Sequence, residues 1–290
     1  MLRLMLAITI ATAAGCATPH GHLRVVHTTD VHGHFSDGLT QVASFVDGAR
    51  EASDTVLLLD SGDMWSGTLM SDRTEGALGV AAYNAMGYDA VALGNHEFDY
   101  GPVGPERTGG DDPFEALKIR LAEARFPVLT ANLVDKATGQ LPDWPNLRAS
   151  VMLRRGGFLV GVVGATTVET PSITFPHVGA ALAFTDAAQA VIREATALRE
   201  RGAEVIIVLA HIGAACERFD DPDDLSSCEP DSELFELVRA LPPGLVDVAL
   251  GGHTHRPVAH RVNGVLVAHT GANATHVMDV TIAGAAGTVG

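Results

Sequence analysis

A chain of 290 residues with 47% apolar and 19% charged side chains has the means to bury a core, which excludes a disordered polymer and leaves room for one large α/β domain or two smaller ones. Nineteen Lys and Arg against thirty-five Asp and Glu give a formal charge of -16, which excludes a general binder of nucleic-acid polymers or of anionic membranes. Only Lys118 and Lys136 are lysines, and neither follows the glycine spacing of a nucleotide P-loop, whereas histidines number thirteen.

At the N-terminus, Arg3 precedes an apolar run from Leu4 to Ile10 that continues in small residues to Gly15. The run is shorter than the roughly 20 residues that a bilayer-spanning helix requires, so it predicts a signal peptide over residues 1–15, a linker over 16–22 and a folded domain over 23–290. Ala13-Ala14-Gly15-Cys16 resembles a bacterial lipobox, in which cleavage precedes lipidation of Cys16; cleavage among the small residues with Cys16 left free is the alternative. Both predict export to the cell envelope or periplasm, with membrane contact only through the lipid.

Short apolar runs follow at Leu23 to Thr29, Thr55 to Leu59, Ala90 to Leu93, Pro127 to Thr130, Phe158 to Gly164, Val205 to Ala210 and Val246 to Leu250, and they predict buried strands. Periodic segments at Ala43 to Glu51, Pro113 to Arg125, Asp186 to Arg201 and Ser232 to Leu241 predict helices between them, and the alternation predicts an α/β layered domain. Cys216 and Cys228 lie in an acidic stretch, Glu217 to Glu236 carrying nine acids and one Arg. An exported chain permits them to bridge; thiolate ligation of a metal is the alternative, weakened by the lack of a third Cys or a His at suitable spacing in the loop.

The ends of the strands carry the chemistry. The first ends in Asp30 and His32, the second in Asp63, the third in Asn95-His96-Glu97, and later ones in His211 and in His253-Thr254-His255. Ligand sites of α/β sheets form beyond the carboxyl ends of strands, so these segments can converge. Each alone has a plainer explanation: a turn or cap for Asp63, a left-handed turn for Asn95, a packed core histidine for His211. Turn chemistry, however, does not predict histidines at four of five strand ends. A mixed oxygen and nitrogen donor set suits Mn, Fe, Zn or Co better than Ca or Mg.

In order, Asp30-x-His32, Gly62-Asp63, Gly94-Asn95-His96-Glu97, His211 and Gly252-His253-x-His255 resemble the calcineurin-like metallophosphoesterase superfamily. The stretch from Gly87 to Gly101, GYDAVALGNHEFDYG, is similar to its 5'-nucleotidase branch, and the resemblance runs from about residue 23 to the C-terminus. It implies a four-layer α/β/β/α sandwich and two divalent metal ions. Asp30, His32 and His255 would hold one ion, Asn95, His211 and His253 the other, with Asp63 bridging. Two divalent ions outweigh two carboxylates and reverse the local charge, so an acidic protein can attract a phosphate. The implied reaction is hydrolysis of a small phosphate ester, such as a nucleotide, by a metal-bound hydroxide. His96 would face the substrate, steadying the transition state or protonating the leaving oxygen, with Asp99 orienting it and Glu97 anchoring the loop.

Other positions carry less specific expectations. His34 and Asn132 are candidates to line the site, with a surface or packing role the plainer reading for His34 and a turn the alternative for Asn132, and Arg107 is a candidate to reach a phosphate from the Gly- and Pro-rich segment 101–113, with a solvated side chain the plainer reading. His20, His22, His27 and His177 read as surface or packing residues. The acidic loop, where it overhangs the pocket, would repel polyanions through Asp220, Asp221, Asp223 and Asp224. Departures from the family are Ala274 and His276 in place of glycines, and an end at Gly290, which predicts a catalytic domain without the C-terminal domain that clamps a nucleobase. The alternatives in function are a related thiosulfohydrolase acting on a sulfur ester and a non-catalytic ligand-binding surface lipoprotein.

Overall fold

The computed structural model describes residues 7–10, 21–104 and 112–283. Its strands are β1 (Ala7–Ile10), β2 (His22–Thr28), β3 (Val56–Asp60), β4 (Ala90–Ala92), β5 (Val128–Leu129), β6 (Leu133–Asp135), β7 (Leu147–Arg148), β8 (Ser150–Arg155), β9 (Phe158–Thr166), β10 (Leu182–Phe184), β11 (Val205–His211), β12 (Val248–Leu250), β13 (Val258–Val262), β14 (Val265–His269) and β15 (Met278–Ala283). The α-helices are α1 (Thr40–Ala52), α2 (Leu69–Thr74), α3 (Ala77–Met86), α4 (Glu115–Glu123), α5 (Thr170–Ile173), α6 (Pro176–Ala181), α7 (Ala187–Glu200) and α8 (Glu233–Ala240).

One sheet runs β1-β15-β2-β3-β4-β5-β7 and the other β13-β14-β12-β11-β9-β8, while β6 and β10 form a small antiparallel pair. The centre of each sheet is parallel, β2-β3-β4-β5-β7 in the first and β9-β11-β12-β14 in the second, with antiparallel partners added at β15, β13 and β8.

The apolar runs explain the layering, because side chains alternate between the two faces of a strand and a strand covered on both faces reads as continuously apolar. In β3, Val56 and Leu58 join a core under the helices α1, α3 and α4, whereas Leu57 and Leu59 join a core between the two sheets. In β11, Val205, Ile207 and Leu209 face that same middle core, whereas Ile206, Val208 and Ala210 face α7 and α8. Helices, sheet, sheet and helices therefore stack in four layers, the α/β/β/α sandwich. Fully burying each such Val or Leu is worth about 1.5–3 kcal/mol, so the sandwich rests mostly on these three cores.

The seven expected strands form with ends shifted by at most two residues, and the four expected helices form at the expected places. The α7 helix starts after Asp186, whose side chain accepts from the Gln189 N–H as a cap. The β13–β14 hairpin was not expected, although its turn, Asn263-Gly264, has φ of 52° and 78°, the left-handed pair that two-residue hairpins require. Ala7–Ile10, from the run read as a signal, pair with β15 in parallel at the sheet edge. Cys16, His20 and Arg107 lie outside the described residues. Among the described residues no helix is long and apolar enough to cross a membrane.

Candidate functional site

The carboxyl ends of β2, β3, β4, β11 and β12 meet at one place, and the chain turns sharply at each. Asp30, His32, Asp63, His253 and His255 all adopt left-handed backbone, with φ from 48° to 76°. Asp and His tolerate this conformation better than bulky residues do, yet it costs free energy that the surrounding packing has to over-determine. Close approach of the loops demands glycine as well. A Cβ on Gly94 would lie 2.2 Å from an Asp63 carboxylate oxygen, and one on Gly252 would lie 2.3 Å from Thr29 Oγ1.

Two groups of ligand atoms result, with a third overlapping both. Asp30, His32 and His255 offer atoms within 4.8 Å of one another, as do Asp63, His211 and His253, and His32, Asp63 and His96 form the overlapping third. His32 Nε2 lies 3.0 Å from His255 Nε2, and His255 Nε2 lies 3.3 Å from Asp30 Oδ1. On the other side, His211 Nε2 is 3.1 Å from Asp63 Oδ2 and 3.0 Å from Asn95 Oδ1. Asp63 Oδ2 is also 3.7 Å from His32 Nε2, so this carboxylate stands between the groups. All seven residues expected as ligands are thus brought together.

The hydrogen bonds behind them fix which atoms face inward. His211 Nδ1 donates to the Ser61 carbonyl at 2.8 Å, and His32 Nδ1 donates to the Ser66 carbonyl at 3.0 Å. With the protons placed there, the Nε2 atoms keep lone pairs turned toward carboxylate and amide oxygens, an arrangement that a cation satisfies. The Asp30 carboxylate accepts from Thr29 Oγ1 at 2.6 Å and from the His253 N–H at 3.0 Å. The chemistry of the donor set therefore fits divalent metal ions of the Mn, Fe, Zn and Co kind.

Electrostatics point the same way. Burial pushes the Asp63 carboxyl up, but the His211 imidazole against it outweighs burial and holds it below its usual value. Burial also pushes Asp30 up, and the His255 hydrogen bond, His211, His269 and Thr29 more than reverse it. Burial and the charge of His211 depress His253 to about 4, and burial lowers His32. Ionised carboxylates and neutral imidazoles are the forms that metals need. His211 and His255 are the exceptions: burial lowers His211, but Asp63 and Asp30 raise it to about 10, and the Asp30 hydrogen bond raises His255 against the opposing effect of burial, so an ion bound at either has to displace a proton.

His96 stands beside these groups. Its Nδ1 donates to Asp99 Oδ2 at 2.6 Å, and this hydrogen bond raises the imidazole to about 9 against the opposing effect of burial. Its ring lies 5.0 Å from the ring of His32, and the ring of His255 lies 4.9 Å from that same ring. The Ser66 hydroxyl donates to the same Asp99 oxygen at 2.5 Å, and Trp65 Nε1 donates to the His96 carbonyl at 3.0 Å. Glu97 accepts from the N–H groups of Gly94, Asp63 and Met64 at 2.6, 2.9 and 2.9 Å, which ties the second and third ligand loops together. Burial and the Asp63 charge raise its carboxyl to about 8.

Other expected positions fall elsewhere. Asn132 is fully buried and does more than make a turn: its Nδ2 donates to the carbonyls of Thr166 and Thr185, and its Oδ1 accepts from the Thr166 N–H, so it clamps β9 to the chain before α7. His34 does not join the converging ligand atoms. His27 is buried with Nε2 at 2.8 Å from Ser61 Oγ, His22 is exposed, and His177 packs against Phe114 and Phe175. Cys216 and Cys228 are joined as a disulfide, with the buried His260 brought beside them from β13, a neighbour that spacing within the loop could not reveal. Within the acidic loop, Asp224 pairs with Arg218 at 3.1 Å and Asp223 faces Arg261 at 3.9 Å, so two of the four aspartates expected to repel polyanions are engaged locally. Ser61, Ser66 and His269, whose Nε2 lies 2.7 Å from the Gly252 carbonyl, shape the ligand loops without having been anticipated. Two of them act through main-chain carbonyls, which leave no mark on residue type.

A family model for calcineurin-like phosphoesterases matches residues 23–257. A 5'-nucleotidase from Diplobatis ommata is 33% identical over 266 residues, covering 87% of this chain and 40% of that protein. The UshA protein of Escherichia coli K12 is 32% identical over 251 residues, covering 81% of this chain and 41% of that protein. Among solved structures, a 5'-nucleotidase precursor from Thermus thermophilus superposes with a TM-score of 0.68 at 25% identity, over 91% of this chain and 54% of that one. The chain spans about two fifths of the length of these curated relatives.

Proposed function

The chain belongs to the calcineurin-like phosphoesterase family, and from that premise we propose that it hydrolyses small phosphate esters, nucleotides among them, at a two-metal centre. The observation that carries this reading is the convergence of two ligand groups around Asp63 with the His96–Asp99 pair beside them.

Asp30, His32 and His255 would hold one ion and Asn95, His211 and His253 the other, with Asp63 shared. When bound, such a pair supplies Lewis acidity and a nucleophile at neutral pH. The remaining work belongs to the chain. Asp99 keeps His96 protonated with its pKa near 9, and the bond from Nδ1 to Asp99 leaves the Nε2 proton free for the leaving oxygen or for charge developing on the phosphoryl group. Glu97 holds the loops of Asp63 and Asn95 in fixed relation, which keeps His96 and the shared carboxylate in register. The N-terminal pattern supports export: signal peptide over 1–15, linker over 16–22, catalytic domain over 23–290, and a lipid on Cys16.

The test is hydrolysis of AMP, bis-p-nitrophenyl phosphate and p-nitrophenyl phosphate by the chain from residue 17 onward, with and without Mn, before and after chelation. Turnover that is lost on chelation and restored by Mn is the expected result. No turnover of any ester by protein holding two ions per chain overturns the reading.

A further inference from the structure

The loop between Cys216 and Cys228, beyond His211, supplies none of the expected ligands, yet it is firmly fastened. The disulfide joins its two limbs, the Arg218 N–H donates to Ser227 Oγ at 3.1 Å, and the Arg218 carbonyl accepts from His260 Nε2 at 2.9 Å. The next residue, Phe219, lies against the His260 ring with centroids 5.9 Å apart. What this fastening positions is one wall of a cavity of about 430 Å³, between the loop and the segment that joins β14 to β15.

The cavity is lined by Phe219, Pro257, Val258, His276 and Met278 and reaches the half-exposed ring of His255. Among its lining residues there is no Lys, Arg, Asp or Glu. Its volume falls in the range of about 300–1,000 Å³ typical of small-molecule sites. Because the rings of His96 and His255 stand 5.0 and 4.9 Å from that of His32, a phosphate held at the ligand groups has the cavity beside it, on the His255 side. An anionic extension there would be desolvated with no cation to pair it, whereas a flat uncharged ring would bury its faces against Phe219 and Met278.

We propose that this cavity is a specificity subsite for the uncharged aryl or heteroaryl ring of a phosphate ester, with Phe219 held as its wall by the disulfide-closed loop. The proposal rests on the phosphoesterase reading above and adds to it where the organic group sits and which groups are refused.

The test compares 4-methylumbelliferyl phosphate with glycerol 2-phosphate, an ester without a ring, using the Mn-loaded chain and its variants Phe219→Ala and Ala272→Trp. The first variant removes the wall and the second fills the space. Binding of 4-methylumbelliferone to the metal-free forms is followed by its fluorescence. The expected result is a rise of about tenfold in KM for the aryl ester in both variants, with kcat and the KM for glycerol 2-phosphate unchanged, and weaker binding of the free ring compound. Unaltered aryl KM in both variants, or equal rises for the two esters, overturns the subsite and leaves the phosphoesterase reading standing. Binding of 4-methylumbelliferone that Phe219→Ala weakens, in a protein that hydrolyses no ester, keeps the ring-binding cavity and overturns the phosphoesterase reading instead.

Discussion

Asp63 places one oxygen 3.1 Å from His211 Nε2 and 3.7 Å from His32 Nε2, whereas His96, although a ring nitrogen comes within 4.8 Å of the His32 and Asp63 ligand atoms, has its Nδ1 committed to Asp99 and meets the other Asp63 oxygen through its backbone N–H at 2.9 Å. The two residues therefore separate under substitution. Asp63→Ala is expected to lose both ions and all turnover, read by metal analysis and hydrolysis together. His96→Ala is expected to keep both ions and lose about 10²- to 10⁴-fold in kcat, the span of a removed general acid. Asp99 supplies a pH test. It raises His96 from 6.5 to about 9, so the protonated imidazole persists at neutral pH and is lost as pH rises through that value. Without the Asp99 carboxylate the imidazole titrates nearer its ordinary value, so in Asp99→Asn the alkaline fall of kcat is expected at lower pH. A profile of kcat against pH that does not move would remove Asp99 from this role.

At the scale of elements, the site exists because turns at separate strand ends interlock, and glycines permit it. A Cβ on Gly94 would meet Asp63 Oδ1 at 2.2 Å and Glu97 Oε2 at 2.7 Å, both buried and already committed to backbone N–H groups. Gly94→Ala is expected to drive the second and third ligand loops apart, lowering metal affinity at least about tenfold, the lower bound for disturbing groups that orient metal ligands. Equilibrium metal titration of the folded variant checks this. The strands that lead to these turns were legible because β2, β3, β9 and β11 are buried on both faces and read as apolar runs. The short strands β6, β7 and β10 were not, since two or three residues carry no period; β6 and β10 form by pairing with each other and β7 by pairing with β5. Asn263-Gly264 was a readable turn signal between two apolar runs.

For the molecule as a whole, the proposed ligands come from both sheets: β2, β3 and β4 belong to one, β11 and β12 to the other. Ions held among them would link the two halves of the sandwich, and by mass action any ion bound only by the folded chain raises its stability, by about 4 kcal/mol at a thousand times its dissociation constant. Chelation is therefore expected to lower Tm by several degrees, and the same treatment of Asp63→Ala to lower it far less. Calorimetry of both proteins, with and without chelator, measures the difference. The charge of -16 belongs to this scale too. Its distribution is uneven: Asp223 and Asp224 are engaged by Arg261 and Arg218, and the cavity beside His255 has no carboxylate in its wall.

Sequence by itself determined the alternation of buried strands and amphipathic helices, and it marked Asp30, His32, Asp63, Asn95, His96, His211, His253 and His255 at strand ends, because residue type and period are local properties. It also assigned Glu97 to anchoring, a role that its three backbone hydrogen bonds define. Only the tertiary structure decided what depends on distance between remote segments. It made Asn132 a clamp between β9 and the chain before α7, and set His260 beside the cysteine pair. It gave the carbonyls of Ser61 and Ser66 the task of turning His211 and His32, and it placed Phe219 across a cavity from the β14–β15 segment. A carbonyl oxygen is the same in every residue, and a cavity belongs to no residue, so neither leaves a pattern in the order of amino acids.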